Sequence, residues 1–445
     1  MRVLQVIDSL ALGGAEILLK DMVPKLRNRG IQCDVVALVR TSSAIEDSMQ
    51  RENVAVLGTG VTKIYSPRHI RPLARIMLQY DLCHVHLFPA QLWACFAAAL
   101  LREKIPLITT EHCAWNSRRR WWFRLLDARM YSYYDHIVCI SEAVAGELTR
   151  WCPKTQKQIQ VIPNGIPLEA FESAKPAELS SIQPNFTRVV VVSRFDIPKD
   201  QATVIKAIKT IPNAHLLLVG DGPLRLQLEQ LTRALGIMDR VSFLGWRNDV
   251  AELLKAADIY VHSTNSDGFG IAACEAMAAG LPIVASNVPG LAQVVEGAGV
   301  LFPPGDDISL ACEIRAIITS TERRRLMSQA SCQRARQFSI EKTIDGHIEM
   351  YRSVLRTRVA VTVIPLGTRK KFSKSERNPK SHARQRTDTM HDIEILSISF
   401  FTVSLLLTAT DPPIYFEIIL DFFWLSRECS LSAGIQEMPL HSPEE

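Results

Sequence analysis

Asp258-Ile-Tyr-Val-His-Ser-Thr-Asn-Ser-Asp-Gly-Phe-Gly-Ile-Ala-Ala-Cys-Glu-Ala-Met-Ala-Ala-Gly-Leu-Pro-Ile-Val-Ala-Ser286 is the stretch that decides the fold. Asp258–His262 is β-rich and breaks into a polar loop ending in Gly268-Phe-Gly270. Ala272–Ala279 follows with helical character, Gly280 punctuates it, and Pro282–Ala285 is β-rich again. Strand, loop, helix and strand within about thirty residues form the repeating unit of a parallel sheet.

The same alternation extends in both directions. Upstream in this series the candidate strands are Arg188–Ser193, His215–Val219 and Arg240–Leu244. An earlier series holds Val3–Ile7, Cys33–Val39, Cys83–His86, Pro106–Thr110, His136–Ile140 and Gln160–Ile162. Helical patterns such as Ala15–Asn28, Gln201–Ile208 and Leu224–Leu235 lie between strands. Two series predict an α/β protein of two doubly wound, Rossmann-like domains facing a cleft, with ligands beyond the carboxyl ends of the strands. Phe171–Thr187, rich in Ser, Pro and acids, marks the boundary. The expected domains are 1–170 and 171–338. Residues 339–358 follow as a C-terminal helix, and 359–445 as a tail.

Composition is that of a globular protein: 445 residues, 47% hydrophobic and 22% charged. A net charge of +5 gives no reason to expect nucleic acid as a partner. The ten cysteines include no close pair, and Cys33, Cys83 and Cys139 sit in or beside apolar runs, which predicts buried free thiols in a reducing compartment. The start, Met1-Arg-Val-Leu-Gln-Val-Ile-Asp8, is too short and too charged for a signal peptide and reads as a first strand of a cytoplasmic protein.

The unusual residues fall just past strand ends. In the segment Asp267–Glu275, Gly268 and Gly270 admit close approach of a ligand, and the helix start offers amides to an anion. The flanking carboxylates, Asp267 and Glu275, suit the hydroxyls of a ribose or hexose. Read plainly, the same residues are a helix entered through a turn, with Asp267 as cap and Glu275 exposed. Arg194 and Lys199 share the loop after Arg188–Ser193. Fixed cations there would stabilise a departing diphosphate more than the bound one. No Asp-x-Asp and no His/Cys cluster of zinc spacing occurs, so neither a metal nor another cofactor is expected. Gly13-Gly14 precedes a helix without the Gly-x-Gly-x-x-Gly pattern of nicotinamide enzymes. His112 closes the strand Pro106–Thr110 across the cleft.

Together these residues resemble the retaining glycosyltransferases of the GT-B fold, family 4. The matching motifs are Gly13-Gly-Ala-Glu16, Thr110-Glu-His112, Ile162-Pro-Asn-Gly-Ile166, Ser193-Arg194 with Lys199, Gly220-Asp-Gly-Pro223, Asp267-Gly-Phe-Gly270, Glu275-Ala-Met277 and Gly280-Leu-Pro282. They span roughly Met1 to Leu355 in family order. The resemblance implies a metal-independent, hexosyltransferase-like enzyme that moves a sugar from a nucleoside-diphosphate donor with retention. Its setting would be bacterial-type exopolysaccharide, lipopolysaccharide or glycolipid synthesis. Arg194 and Lys199 would bind the diphosphate and Glu275 the ribose. Asp267 and the amides of Phe269, Gly270 and Ile271 would hold the sugar and distal phosphate. Gly220 and Asp221 would belong to the donor site, and Gly13 and Gly14 would approach from the first domain. His112 would stand near the reacting carbon. The resemblance also implies that 1–170 is the acceptor side, 171–338 the donor side, and 339–358 a helix crossing back. The chain departs from the family in having Asp267 where Glu is usual and Pro167 after Asn-Gly-Ile.

The acceptor would be a glycan or a lipid-linked glycan. Arg118, Arg119, Arg120, Trp121 and Trp122 interleave cations with aromatics close to His112. The pattern suits peripheral contact with the inner face of a membrane, or equally a helix packing Trp121, Trp122 and Leu125 inward. In the tail, Arg369–Arg386 carries eight Lys or Arg against Glu376, ahead of the apolar run Ile395–Thr410. That run is shorter than the roughly 18–20 residues of a spanning helix. It reads as a weak anchor, a disordered extension or a chance one. Two other functions fit the architecture: a nucleotide-sugar epimerase, and a non-catalytic sugar-nucleotide-binding protein.

Overall fold

A computed structural model describes residues 1–362, apart from Leu12, 114–118, Arg120, Trp122 and Ser181. The tail segments Arg369–Arg386 and Ile395–Thr410, and Arg118, Arg120 and Trp122, lie outside the described residues.

The first sheet contains β1 (Arg2–Ile7), β2 (Gln32–Ala37), β3 (Val56–Gly58), β4 (Leu82–His86), β5 (Leu107–Glu111), β6 (His136–Cys139) and β7 (Ile159–Val161). Their spatial order is β3-β2-β1-β4-β5-β6-β7, all parallel. The second contains β8 (Thr187–Val192), β9 (Ala214–Val219), β10 (Val241–Gly245), β11 (Ile259–His262), β12 (Ile283–Ser286) and β13 (Gly299–Phe302). It runs β10-β9-β8-β11-β12-β13, again all parallel. Helices cover both faces, so the inner strands are buried along most of their length; Val189, Val190 and Val191 are all buried, and so are the polar Gln5, His84 and His86.

β3 and β13 escape sequence reading. Both are edge strands, three and four residues long and only partly buried. With one neighbour each, they need no continuous apolar run.

In each sheet the strand order reverses once, between β1 and β4 and between β8 and β11. Chain leaving these strands opens outward on either side of the reversal, which makes a crevice at the carboxyl ends. Chain after β1 and β5 of one sheet meets chain after β11 of the other: Gly14 faces Ile271, and Gly268 lies against His112.

The domains are tied together behind this crevice. Ile166 and the turn at Phe338–Ile340 exchange two backbone hydrogen bonds of 2.9 Å, and Thr343 Oγ1 donates to Pro163 O at 2.9 Å. The helix Ile340–Thr362 then crosses onto the first domain. Its stripe Ile340, Ile344, Ile348 and Tyr351 is buried in the core around β1 and the helix Gly14–Asn28. Burial of such side chains contributes about 1.5–3 kcal/mol each. The flanking ion pairs of Lys25 and Arg29 with Glu341 and Asp345 are exposed and add little.

Of the cysteines, Cys33, Cys83, Cys95, Cys139, Cys152 and Cys274 are buried free thiols, while Cys113, Cys312 and Cys332 are exposed. Among the described residues no helix is long and apolar enough to cross a membrane.

Candidate active site

Lys199 and Asp267 meet at the strand-order reversal of the second sheet. Lys199 ends the loop after β8, and Asp267 stands in the loop after β11. An isolated bridge between Lys199 and Thr264 draws the two loops together. Lys199 Nζ donates to Asp267 Oδ2 at 2.5 Å. His262, the last residue of β11, lies 3.0 Å from the same oxygen through Nε2, and Tyr260 OH lies 3.1 Å from its Nδ1. The Phe269 amide donates to Asp267 Oδ1 at 3.1 Å. Burial raises the Asp267 pKa, but Lys199 and His262 more than offset it, so the carboxyl stays ionised well below the usual carboxylate range. Burial and the Lys199 charge together lower His262, leaving a neutral ring that donates to Asp267 and accepts from Tyr260.

Gly270 caps the helix Ile271–Ala278 with φ of 90°, a left-handed conformation that favours glycine. Gly268 is required for a different reason. A Cβ there would lie 2.8 Å from the backbone oxygen of His112, so the glycine loop runs directly against the end of β5. Ser141 Oγ donates to Gly268 O at 2.7 Å, a second link across the domains. Phe269 packs edge-on against Phe338 at 5.4 Å, connecting the loop to the crossing helix.

Glu275 lies one turn into the helix Ile271–Ala278, half-buried, with Asp21 and Lys20 of the first domain acting on it. Burial pushes its carboxyl up to about 8, with Asp21 adding to the shift and Lys20 opposing it. It is not the fully exposed acid of a plain helix. Gly14 opens the helix Gly14–Asn28 opposite Ile271; a Cβ on it would sit 3.3 Å from Ile271 Cδ1. Gly13 caps that helix, and the Glu16 side chain folds back over it. Burial raises Glu16, its own amide opposes the rise, and so does the charge of Arg194 across the cleft.

Arg194 pairs with Asp196 on its own loop and is more than half exposed. The Gly220 amide donates to Gly245 O at 2.8 Å. Asp221 holds Arg225 at 2.7 Å and accepts the Gly222 amide at 2.8 Å; those bonds lower its pKa. These two residues shape the loop after β9, beside the Arg194 loop.

On the first domain, His112 Nε2 lies 3.1 Å from His86 Nδ1. Burial pushes His112 down to about 3, and the neighbouring His347 adds to the effect. Arg119 is largely buried and pairs with Glu147 at 3.2 Å. Trp121 and Leu125 are exposed by 72% and 70%, which overturns the expectation of an inward-packing face for these two residues.

Sequence reading thus located Lys199, Asp267, Gly268 and His112, which the fold brings together. It passed over His262, His86, Gln5 and Ser141. A histidine closing an apolar strand, as in Val85-His86 and Val261-His262, was the available signal.

Two consecutive family descriptions fit the chain: Glycosyltransferase Family 4 over residues 12–170 and Glycosyl transferases group 1 over residues 178–334. The chain belongs to the family 4 glycosyltransferases. Its curated relatives include the lipopolysaccharide core biosynthesis glycosyltransferase LpsD of Rhizobium meliloti. That protein is 29% identical over 360 residues, 76% of this chain and 95% of LpsD. N-acetyl-alpha-D-glucosaminyl L-malate synthase of Bacillus anthracis is 29% identical over 296 residues, 62% of this chain and 75% of that enzyme. Among solved structures, Anabaena Alr3699/HepE in complex with UDP superposes with a TM-score of 0.70 at 23% identity, covering 79% of this chain and all of that one. The glycosyltransferase fold is therefore that of two facing Rossmann-like domains, as the resemblance implied.

Proposed function

We propose that this glycosyltransferase moves a sugar, with retention and without a metal, from a nucleoside-diphosphate sugar to a glycan or lipid-linked glycan. One observation carries the reading: Lys199, Asp267 and His262 are joined at the mouth of a helix whose glycine loop presses against His112. Lys199, bonded to Asp267 in the loop that leads into this helix, and Arg194 on the Lys199 loop would be the cations that neutralise a leaving diphosphate beside the anion-seeking helix start. The absence of Asp-x-Asp from the sequence supports assigning that neutralisation to side chains. Glu275, half-buried and facing the first domain, suits the ribose hydroxyls, and His112 suits the transferred sugar. UDP in the Alr3699/HepE structure and the lipopolysaccharide role in the name of LpsD support a nucleotide donor and a surface-glycan acceptor.

The first domain is the acceptor side in this reading. Trp121 and Leu125 are exposed close together in the chain, as are Arg124 and Arg129. Such a segment suits the headgroup region of an anionic bilayer, placing the enzyme at the cytoplasmic side of a membrane.

The test is incubation of the full chain with a panel of nucleoside-diphosphate sugars and candidate acceptors, with and without chelator, scored for released nucleoside diphosphate and for anomeric configuration. Chelator-resistant release with a retained product is expected. Conversion of the donor sugar without release would reveal an epimerase, and binding without either a non-catalytic protein.

A further inference from the structure

A chain of buried hydrogen bonds stands behind His112. His86 Nε2 lies 2.9 Å from Gln5 Oε1. Gln5 Nε2 donates to Tyr351 OH at 3.2 Å. Tyr351 OH lies 2.7 Å from His84 Nδ1, and His84 Nε2 lies 2.7 Å from Thr110 Oγ1. With the His86–His112 contact, the path leaves β5 at Thr110, passes through β4, the crossing helix and β1, then β4 again, and ends at His112 just past β5.

Its polarity follows from the chemistry of each group. The Gln5 amide oxygen only accepts, so His86 Nε2 carries a proton. A neutral His86 then has a bare Nδ1, which accepts from His112 Nε2–H. The Tyr351 hydroxyl accepts from Gln5 and donates to His84 Nδ1, and His84 Nε2–H donates to Thr110. Every ring has one donor and one acceptor, and no carboxylate takes part. Burial lowers His84 and His86 well below the ordinary histidine value and His347 to about 4, in keeping with neutral rings throughout. Such a chain of bonds holds together only with each member in one tautomer.

We propose that His86, held by Gln5, which Tyr351 holds in turn, is a positioning residue that fixes His112 as the Nε2–H tautomer. Nδ1 of His112 is then the ring's acceptor for a substrate hydroxyl. Tyr351 comes from the helix that leaves the donor-side domain, so the orientation of His112 depends on that helix being seated. This deepens the transferase reading above and rests on it for its consequence in turnover.

The test compares His86→Leu, which removes the acceptor facing His112, with His86→Asn, whose side-chain oxygen can stand where Nδ1 stood. Both lose the ring and the bond to Gln5, so a merely structural role affects them alike. Long-range ¹H–¹⁵N spectra of the full chain, with the His112 signals identified by their loss in His112→Gln, read the tautomer directly. Wild type should show Nε2–H. His86→Leu should mix the tautomers and lower kcat roughly 10–100-fold, the scale for groups that orient a reacting side chain, with donor KM unchanged. His86→Asn should restore much of both. Should His86→Leu fail to fold, Tyr351→Phe deletes a single oxygen and should shift the tautomer ratio and kcat in the same direction. An Nδ1–H signal in wild type, an unchanged tautomer in the tested variant, or equal losses in Leu and Asn overturns the proposal. If wild type turns over no nucleoside-diphosphate sugar, the transferase reading fails, while the tautomer in wild type and His86→Leu still decides this one.

Discussion

Lys199 Nζ donates to Asp267 Oδ2 at 2.5 Å across 68 residues of chain, uniting the two loops that flank the strand-order reversal of the second sheet. The pair is mostly shielded from water. Asp267 has both oxygens engaged, one by Lys199 and His262 and the other by the Phe269 amide. The acid therefore acts first as an anchor for Lys199. His262 reaches the acid from the end of β11.

Removing the two cations should have unequal side effects. Lys199→Ala strips Asp267 of its charge partner, and losing one member of a shielded pair costs about 3 kcal/mol, the low end of the range because His262 and an amide remain. Arg194 is more than half exposed, and its loss should leave the thermal midpoint nearly unchanged. Both variants should lower kcat roughly 100–1000-fold, as expected for one preorganised charge-stabilising donor. Calorimetry and nucleoside-diphosphate release measure the two effects. Wild-type turnover in both would remove these residues from the mechanism.

Glu275 makes stability depend on pH. Its carboxyl titrates near 4.5 when unfolded and is pushed up to about 8 by burial and Asp21. Between those values the folded protein holds the extra proton, so the contribution of this group is complete below the lower value and is lost as pH rises through the upper one. Glu275→Gln should abolish that loss, which urea unfolding at about pH 5 and about pH 8 will show. Ribose hydroxyls donating to the carboxylate favour its ionised form. Donor binding should therefore expel a proton in this window in wild type and not in Glu275→Gln. Calorimetry in buffers of different ionisation enthalpy reads the proton, and equal release from both proteins excludes Glu275 as its source.

The membrane-facing role assigned to Trp121 and Leu125 is open to a direct test. Replacing both with Ser removes exposed apolar area without disturbing a core. Flotation with vesicles rich in anionic lipid should drop, while donor hydrolysis in solution stays at the wild-type rate. Equal flotation of the two proteins leaves this segment without a lipid role.

Much of this site was legible because parallel sheets place their loops predictably. Once Asp258–His262 and Arg188–Ser193 read as strands, Lys199 and Asp267 had to share an edge. His112 fell opposite for the same reason. What the sequence concealed was pairing by side chains from distant elements. Gln5, His84, His86 and Tyr351 each look like ordinary core or helix residues. Only β1 and β4 lying side by side, with the crossing helix over them, reveals the bonded chain. The edge strands β3 and β13 were hidden because partial burial relaxes the apolar pattern. Arg119 was misleading in another way: a cation in a basic run reads as surface, yet Glu147 draws it inward.

Gly268 isolates domain closure from folding. The atoms that an added Cβ would meet there, His112 O at 2.8 Å, Cys113 Cα at 3.4 Å and Val144 Cγ2 at 3.4 Å, all belong to the first domain. Gly268→Ala should thus leave each domain intact while forcing the glycine loop away from the end of β5. Donor binding by the second domain should persist, and the thermal midpoint should move little. Turnover should fall on the order of 100-fold, the scale of a misplacement of about 1 Å between reacting groups. Small-angle scattering should report a larger radius of gyration for the variant with donor bound. Wild-type turnover with wild-type dimensions would show that the tight approach of Gly268 to His112 has no part in closing the site.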